Sequence, residues 1–366
     1  ISQIAASTYN SMALTKDGKL YTWGYNGNGQ LGNGTTSGTA TPIKIKLDGI
    51  IKIAGKNQTS TAVTADGKLY TWGYNGYGQL GTSDYVNKTE ATKNTMKNVM
   101  DIAAGHGHTL ILKTDGTVWA TGRNDYGQLG DGTTIKSNSF HKVKLNNNGD
   151  YLENIVAIAA GNVSSYALTK EGKVYSWGYN YYGSFGVGYT TSGNANCYPI
   201  QMQKVNNIIQ ISAGENHIAL LDADGSVWQV GYNGNYQLGT NNSSNYSLPQ
   251  QMLDQTGTKI LYGVKEVSAG DQHTTILKED GTVWSTGYNG YGQLGTGDTS
   301  NKILPTYTGI NNIVSIALGS AHTVAVDKDG HVWTWGYNNY GQLGNGTTKS
   351  TDIPVQVAFP ENTKIK

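Results

Sequence analysis

Arginine is almost missing from this 366-residue chain; Arg123 is the single one. Readers of DNA or RNA use several guanidinium forks against phosphates and guanines. With 26 basic against 25 acidic residues, a formal charge of +1 supplies no long-range pull on a polyanion or an anionic membrane. No nucleic-acid partner is expected. Cysteine is equally scarce: Cys197 stands alone, so no internal disulfide is possible. Only 6 prolines and 14% charged residues occur, and the 50 glycines follow no three-residue period, which excludes collagen and Pro-rich linkers. No apolar run reaches the length of a membrane helix, so no membrane insertion is expected. Catalytic signatures are missing too: no Walker loop, dinucleotide fingerprint, His-Glu-x-x-His or Gly-x-Ser-x-Gly motif occurs. The chain therefore reads as a non-enzyme without catalytic residues, cofactor or metal.

What is present is repetition. An acidic residue followed by Gly recurs at Asp17, Asp66, Asp115, Glu171, Asp224, Asp280 and Asp329, at spacings of 49, 49, 56, 53, 56 and 49. Around each pair lie short runs rich in β-branched and aromatic residues, bounded by turn residues. Such runs are strands, and the acid-Gly pair is a tight hairpin turn. Each second run ends at a fixed Gly, from Gly24 to Gly336; Asn follows two residues later, then Gln-Leu-Gly, varied in unit four to Ser184-Phe185-Gly186. With a further outer run near Pro42–Ile45 and its equivalents, each unit supplies four strands.

Seven four-stranded units predict an all-β protein: one seven-bladed β-propeller of antiparallel blades spanning residues 1–366. An open solenoid would need polar terminal caps, and the end units are not caps. The chain begins on an inner-strand segment, Ile1–Ala6, and ends on an outer one, Asp352–Val357. The expectation is that these ends pair in one blade and close the ring. One Trp or more marks every unit, one or three residues before the fixed Gly, as expected of a packing layer between blades.

The repeat resembles that of the regulator of chromosome condensation family. The resemblance rests on Ile211-Ser212-Ala213-Gly214, His217, Ala219-Leu220, Asp224-Gly225, Val227-Trp228, Gly231-Tyr232-Asn233 and Gln237-Leu238-Gly239, with the same series from Ile316 to Gly344. It covers essentially the whole chain. Propellers of this family include a guanine-nucleotide exchange factor, a plant ultraviolet receptor, ubiquitin-ligase-associated modules and secreted bacterial inhibitors of β-lactamase. The scarcity of Arg and the abundance of Asn, Lys, Ile and Tyr resemble the bacterial type. The resemblance implies a binding scaffold rather than an enzyme, expected as a monomer outside or on the surface of a bacterium. Inhibition of a class A β-lactamase and nucleotide exchange on a small GTPase are the alternative functions.

Departures from the repeat point to the binding surface. Extra length falls at Asn146–Asn154 and Asp254–Gly263, expected on the acid-Gly face, and at Tyr189–Tyr198, expected on the opposite face. On that opposite face a tyrosine follows the fixed Gly in six units and Arg123 in the seventh; three residues further stand Asn28, Tyr77, Tyr126, Tyr182, Asn235, Tyr291 and Tyr340. Tyr offers contact area at low entropy cost, so these positions suit recognition of a protein or a glycan. The candidates are Arg123, Asp125, Tyr126, Tyr181, Tyr182 and Tyr77, with the remaining tyrosines expected to brace their own loops. His108, His217, His273 and His322 occupy one repeat position, where hydrogen bonding to nearby backbone is expected rather than metal binding.

Overall fold

The computed structural model describes residues 1–360; the expected end of the domain at residue 366 lies outside the described residues. Seven four-stranded antiparallel sheets form the blades, each built from four strands in chain order, inner to outer. The blades span residues 3–44, 50–93, 99–142, 155–201, 208–251, 264–307 and 313–356. No helix occurs among the described residues. The protein is an all-β, seven-bladed propeller of four-stranded antiparallel blades, as the periodicity predicts.

Burial follows the radial position of each strand. Second strands such as Thr59–Thr64 and Ser164–Thr169 are buried at every residue, because sheets cover both faces. Fourth strands such as Lys88–Lys93 are mostly half-exposed. Five of the six prolines (Pro42, Pro199, Pro249, Pro305 and Pro354) sit at the fourth residue of these outer strands. There a missing N–H protects the open edge against adding another strand.

The core lies between blades. One cluster joins Leu110 and Leu112 of blade three to Ile155, Ile158 and Trp177 of blade four. Trp23, Trp72, Trp177 and Trp335 are fully buried in four such seams. Three of them donate Nε1–H to a backbone oxygen of the preceding blade: Trp23 to Gln342, Trp72 to Gln30 and Trp177 to Gln128, each at 2.9 Å. Each indole also lies against the Gly that ends a Gln-Leu-Gly run, such as Gly32 under Trp72. Blades three, five and six have Thr121, Val230 and Thr286 in place of this Trp. Their glycines are met instead by Phe140 over Gly81, Met202 over Gly186 and Met252 over Gly239. Volume is conserved by side chains from other positions, as close packing demands.

The expected pairing of the N- and C-terminal strands in one blade does not occur. Gln3–Ala6 pairs only with Asn10–Leu14, and Thr351–Gln356 pairs only with Val332–Gly336. Blade one already owns an outer strand, Thr39–Lys44. The ring closes side by side, as at its other seams. Ile1, Ile4, Ala6 and Trp23 pack against Val324, Val326, Val332 and Val357. Ser11 Oγ and Trp23 Nε1 both donate to Gln342 O, and Gly346 N–H donates to Ala40 O. Four complete strands per unit leave no strand for the opposite end to supply.

Candidate functional site

One face of the ring carries the loops that join third to fourth strands. Each begins at the fixed Gly, where φ lies between +100° and +113°. A Cβ there would stand 2.3–2.7 Å from a backbone oxygen of the turn between first and second strands, such as Tyr9 O for Gly24. Only Gly lets the chain turn so close. The following Asn is fully buried and holds the loop together. Asn26 Nδ2 donates to Thr35 O (2.9 Å) and Ser37 O (3.0 Å), and its Oδ1 accepts from Leu31 N–H (2.9 Å). Asn124 does the same with Thr133, Ile135 and Leu129.

The tyrosines reach beyond their own loops as well. The residue three beyond the first Tyr of one blade reaches the first Tyr position of the next. Tyr77 lies under the Arg123 guanidinium at 5.5 Å, Tyr126 contacts Tyr179 at 4.6 Å, and Tyr182 contacts Tyr232 at 4.9 Å. Where that residue is Asn, the aromatic chain breaks: Asn28 donates to Gln58 Oε1, and Asn235 to Gln272 Oε1. Tyr25, Tyr74, Tyr232 and Tyr288 also lie over Gly27, Gly76, Gly234 and Gly290 of their own loops, so bracing of the loop and contact between blades occur together.

Two aromatic arcs result. The first runs from Tyr74 and Tyr77 through Arg123, Tyr126, Tyr179, Tyr181 and Tyr182 to Tyr232. All six candidate residues lie in it or beside it. Arg123 Nε donates to Asp125 Oδ2 at 2.6 Å, and Tyr181 is 51% exposed. The second arc joins Tyr288, Tyr291, Tyr337, Tyr340, Tyr25 and Tyr9 and holds no charged side chain. Burial and neighbouring phenols raise the pKa of Tyr9, Tyr179 and Tyr337, so these hydroxyls stay neutral. Of the three long connections, only the one containing Tyr189–Tyr198 opens on this face; the other two lie between an outer strand and the next inner strand, on the acid-Gly face.

The four equivalent histidines are buried and neutral. His108, His217, His273 and His322 each meet a hydroxyl of the following blade: Ser165, Thr274, Thr323 and Ser11, at 2.9, 3.0, 3.5 and 2.8 Å. Those hydroxyls donate their own protons to backbone oxygens of Gln128, Gln237, Gln293 and Gln342. Each His therefore donates from Nε2. Burial, foremost, holds the four pKa values near 3. Each imidazole ties a separate seam. At the blade-seven turn, Asp327, Asp329 and His331 bring ligand-type atoms within 4.8 Å. Asp327 there already accepts from His331 Nδ1, the His331 amide and Trp333 Nε1.

The model of the RCC1-like domain matches residues 86–366, and regulator of chromosome condensation (RCC1) repeats match 1–30, 50–79 and 17–63. The chain belongs to the RCC1-like family. Among curated relatives it is 34% identical to the human probable E3 ubiquitin-protein ligase HERC4 over 151 residues, 40% of this chain and 14% of that protein. It is 33% identical to the ultraviolet-B receptor UVR8 of Arabidopsis thaliana over 152 residues, 41% of this chain and 33% of that receptor. The chain thus matches a minor part of each relative's length. Human WBSCR16 shares the fold with TM-score 0.81 at 22% identity, covering 94% of both chains. Prp20p of Saccharomyces cerevisiae does so with TM-score 0.61 at 23% identity, covering 98% of this chain and 77% of that one.

Composition-based reasoning missed the centre of the same face of this RCC1-like propeller. A channel of about 300 Å³, walled by Ala and Ile side chains of the inner strands, opens there into a polar mouth. Lys56 Nζ crosses it and donates to Ala213 O (2.9 Å), Gly214 O (3.1 Å) and Ala160 O (3.5 Å). Asp271 accepts from Ser320 Oγ, and burial lifts its pKa to about 6 against the pull of Lys56. Burial also lowers the pKa of Lys56. The signal was present: Lys56 stands in the repeat column otherwise filled by Ser7, Gly105, Gly161, Gly214, Gly270 and Gly319.

Proposed function

We propose that this RCC1-like propeller is a non-enzymatic scaffold that binds a protein partner through the first aromatic arc, as a monomeric ring outside or on the surface of a bacterium. One observation carries the reading. Six residues from three blades, Tyr77, Arg123, Asp125, Tyr126, Tyr181 and Tyr182, sit along one series of ring and cation contacts on a loop face. Aromatic and Arg side chains, prepositioned by neighbours, are the residues that dominate protein interfaces. The second arc offers similar aromatic exposure without a charged anchor. Fold relatives support the protein class of partner: Prp20p has binding properties to Gsp1p and histones.

The test uses defined targets and single substitutions. Nitrocefin hydrolysis by a class A β-lactamase is titrated with the protein, and nucleotide release from a small GTPase is followed in its presence. Loss of hydrolysis or faster release names the partner class; silence in both sends the search to pull-down from the source's surroundings, with a glycan array in parallel. For whichever partner binds, Arg123→Ala, Tyr126→Ala and Tyr182→Ala each weaken affinity by roughly 1–3 kcal/mol. A footprint on the second arc, with these three substitutions silent, overturns the reading.

A further inference from the structure

The outer edge of blade three differs from five others in a way that calls for an extended chain. Its fourth strand, Ser137–Lys142, carries Phe140 where blades one, four, five, six and seven carry Pro. The register with the third strand pairs His141 with Ala120, and Val143 N–H donates to Val118 O. Alternation along the strand therefore turns the backbone groups of Phe140 and Lys142 outward. They meet no partner among the described residues. One rung above, the edge already receives a chain: Ser83 N–H, from the blade-two loop, donates to Asn138 O at 2.9 Å.

Beside this edge, a loop position that is polar in four other blades carries an exposed apolar side chain. The equivalent loop position is Ser37 in blade one, Ser244 in five, Ser300 in six and Lys349 in seven. In blades two and three it is Val86 and Ile135, 62% and 73% exposed. Tyr85, 45% exposed, lies under the Lys136 ammonium at 4.8 Å, which brings the two loops together. Lys136, Lys144 and His141 line the strand, while Lys142 is paired with Glu153 at 3.2 Å. Lys136 and Lys144, at its two ends, have no carboxylate partner among the described residues.

We propose that the blade-three edge is a second docking site, independent of the aromatic arc, where an extended acidic segment of a partner protein adds as a fifth strand. Its backbone continues the ladder from Asn138 past Phe140 and Lys142. Its apolar side chains cover Ile135, Val86 and Tyr85, and its carboxylates face Lys136 and Lys144. Outward amides at alternate residues match the spacing of an extended chain, which distinguishes this occupant from a helix or a sugar.

A displayed library of random twelve-residue peptides, selected on the whole protein, tests this. Enriched peptides are expected to be acidic and β-branched, to slow amide exchange at Phe140 and Lys142, and to bind Ile135→Ser at least tenfold more weakly. Phe140→Pro, which copies the other five blades, is expected to abolish binding. Since Phe140 also fills space over Gly81, Ile135→Ser and Val86→Ser serve as the variants that leave packing untouched. Failure to enrich peptides over the Ile135→Ser, Val86→Ser double variant overturns the proposal. So do enriched peptides that leave both amides exchanging at their free rate.

Discussion

Acid should loosen this ring, and the four seam histidines set the size of the effect. In the folded state each has a pKa near 3, whereas an unfolded His titrates near 6.5. Below pH 6.5 the unfolded chain takes up protons that the folded chain refuses, so stability present above 6.5 is lost as pH falls towards 3. At pH 5 the loss is about 2 kcal/mol per His, or about 8 kcal/mol for four independent sites. Buried acids oppose it, Asp101 among them with a pKa raised by burial. Glu266 and Asp271 have pKa values raised by burial to about 6, so they gain stability as pH drops below 6. Each returns about 1 kcal/mol at pH 5. The net loss is about 6 kcal/mol, and the histidines win. With an unfolding entropy of about 2.1 cal/mol/K per residue, Tm falls by roughly 8 °C between pH 7.5 and 5. Thermal melts across that range measure it. His217→Ser, a residue that blade four uses at the same position, should remove about a quarter of the slope. A melt unchanged or raised at pH 5, or a slope indifferent to that substitution, refutes the reasoning.

Trp23→Ala should cost about 3–5 kcal/mol, as for a buried aromatic elsewhere, because the closing seam depends on side-chain packing; a loss below about 1 kcal/mol by denaturant titration contradicts that view of closure. Arg123→Ala should leave Tm within a few degrees, since the Arg123–Asp125 pair is partly exposed and worth about 0–1 kcal/mol, and circular dichroism melts decide it. Asn10→His alone should destabilise, and Ser7→Gly with Asn10→His should recover the loss and exceed the parent; a double-mutant cycle with no coupling rejects the explanation.

Much of the architecture is legible because the propeller's demands are local. Asp17-Gly18 needs only its flanking strands, and the fixed Gly answers a clash inside its own blade. The placement of the long connections on two faces follows from strand order alone. Ring closure is not legible on the same grounds. The repeat gives a period but no phase: an apolar Ile1–Ala6 has the same composition whether an outer strand or another blade covers it. The contact rule of the tyrosines escapes for a related reason. Tyr77 and Arg123 are 46 residues apart, and nothing in either unit shows that its third residue crosses the seam. The loop brace could have been inferred, since Asn is fixed in all seven units while Tyr is not.

Three columns of the repeat vary together, and their steric relation explains why Lys56 exists. The Gly three residues before each seam His lies flat against the ring: a Cβ on Gly319 would stand 2.2 Å from His322 Cε1, with the same clash at Gly105, Gly214 and Gly270. Each His also needs a hydroxyl on the next blade, and Ser165, Thr274, Thr323 and Ser11 provide it. Blade four has Ser164, and the facing residue in blade five is Ile218, so the imidazole and its acceptor are absent together. Blades one and two have Asn10 and Thr59, and only there does the Gly column hold a side chain, Ser7 and Lys56. Asn10 leaves both its amide atoms buried without a partner, although Ser60 of the next blade stands ready with its oxygen. An imidazole there would clash with Ser7, which is why the two changes must be made together. At blade two the same vacancy has another use. Thr59 frees the space above it, a lysine fits where glycine was obligatory, and its ammonium reaches across the channel to blades four and five. Giving up one seam hydrogen bond placed a cation at the centre of the face that carries the aromatic arc.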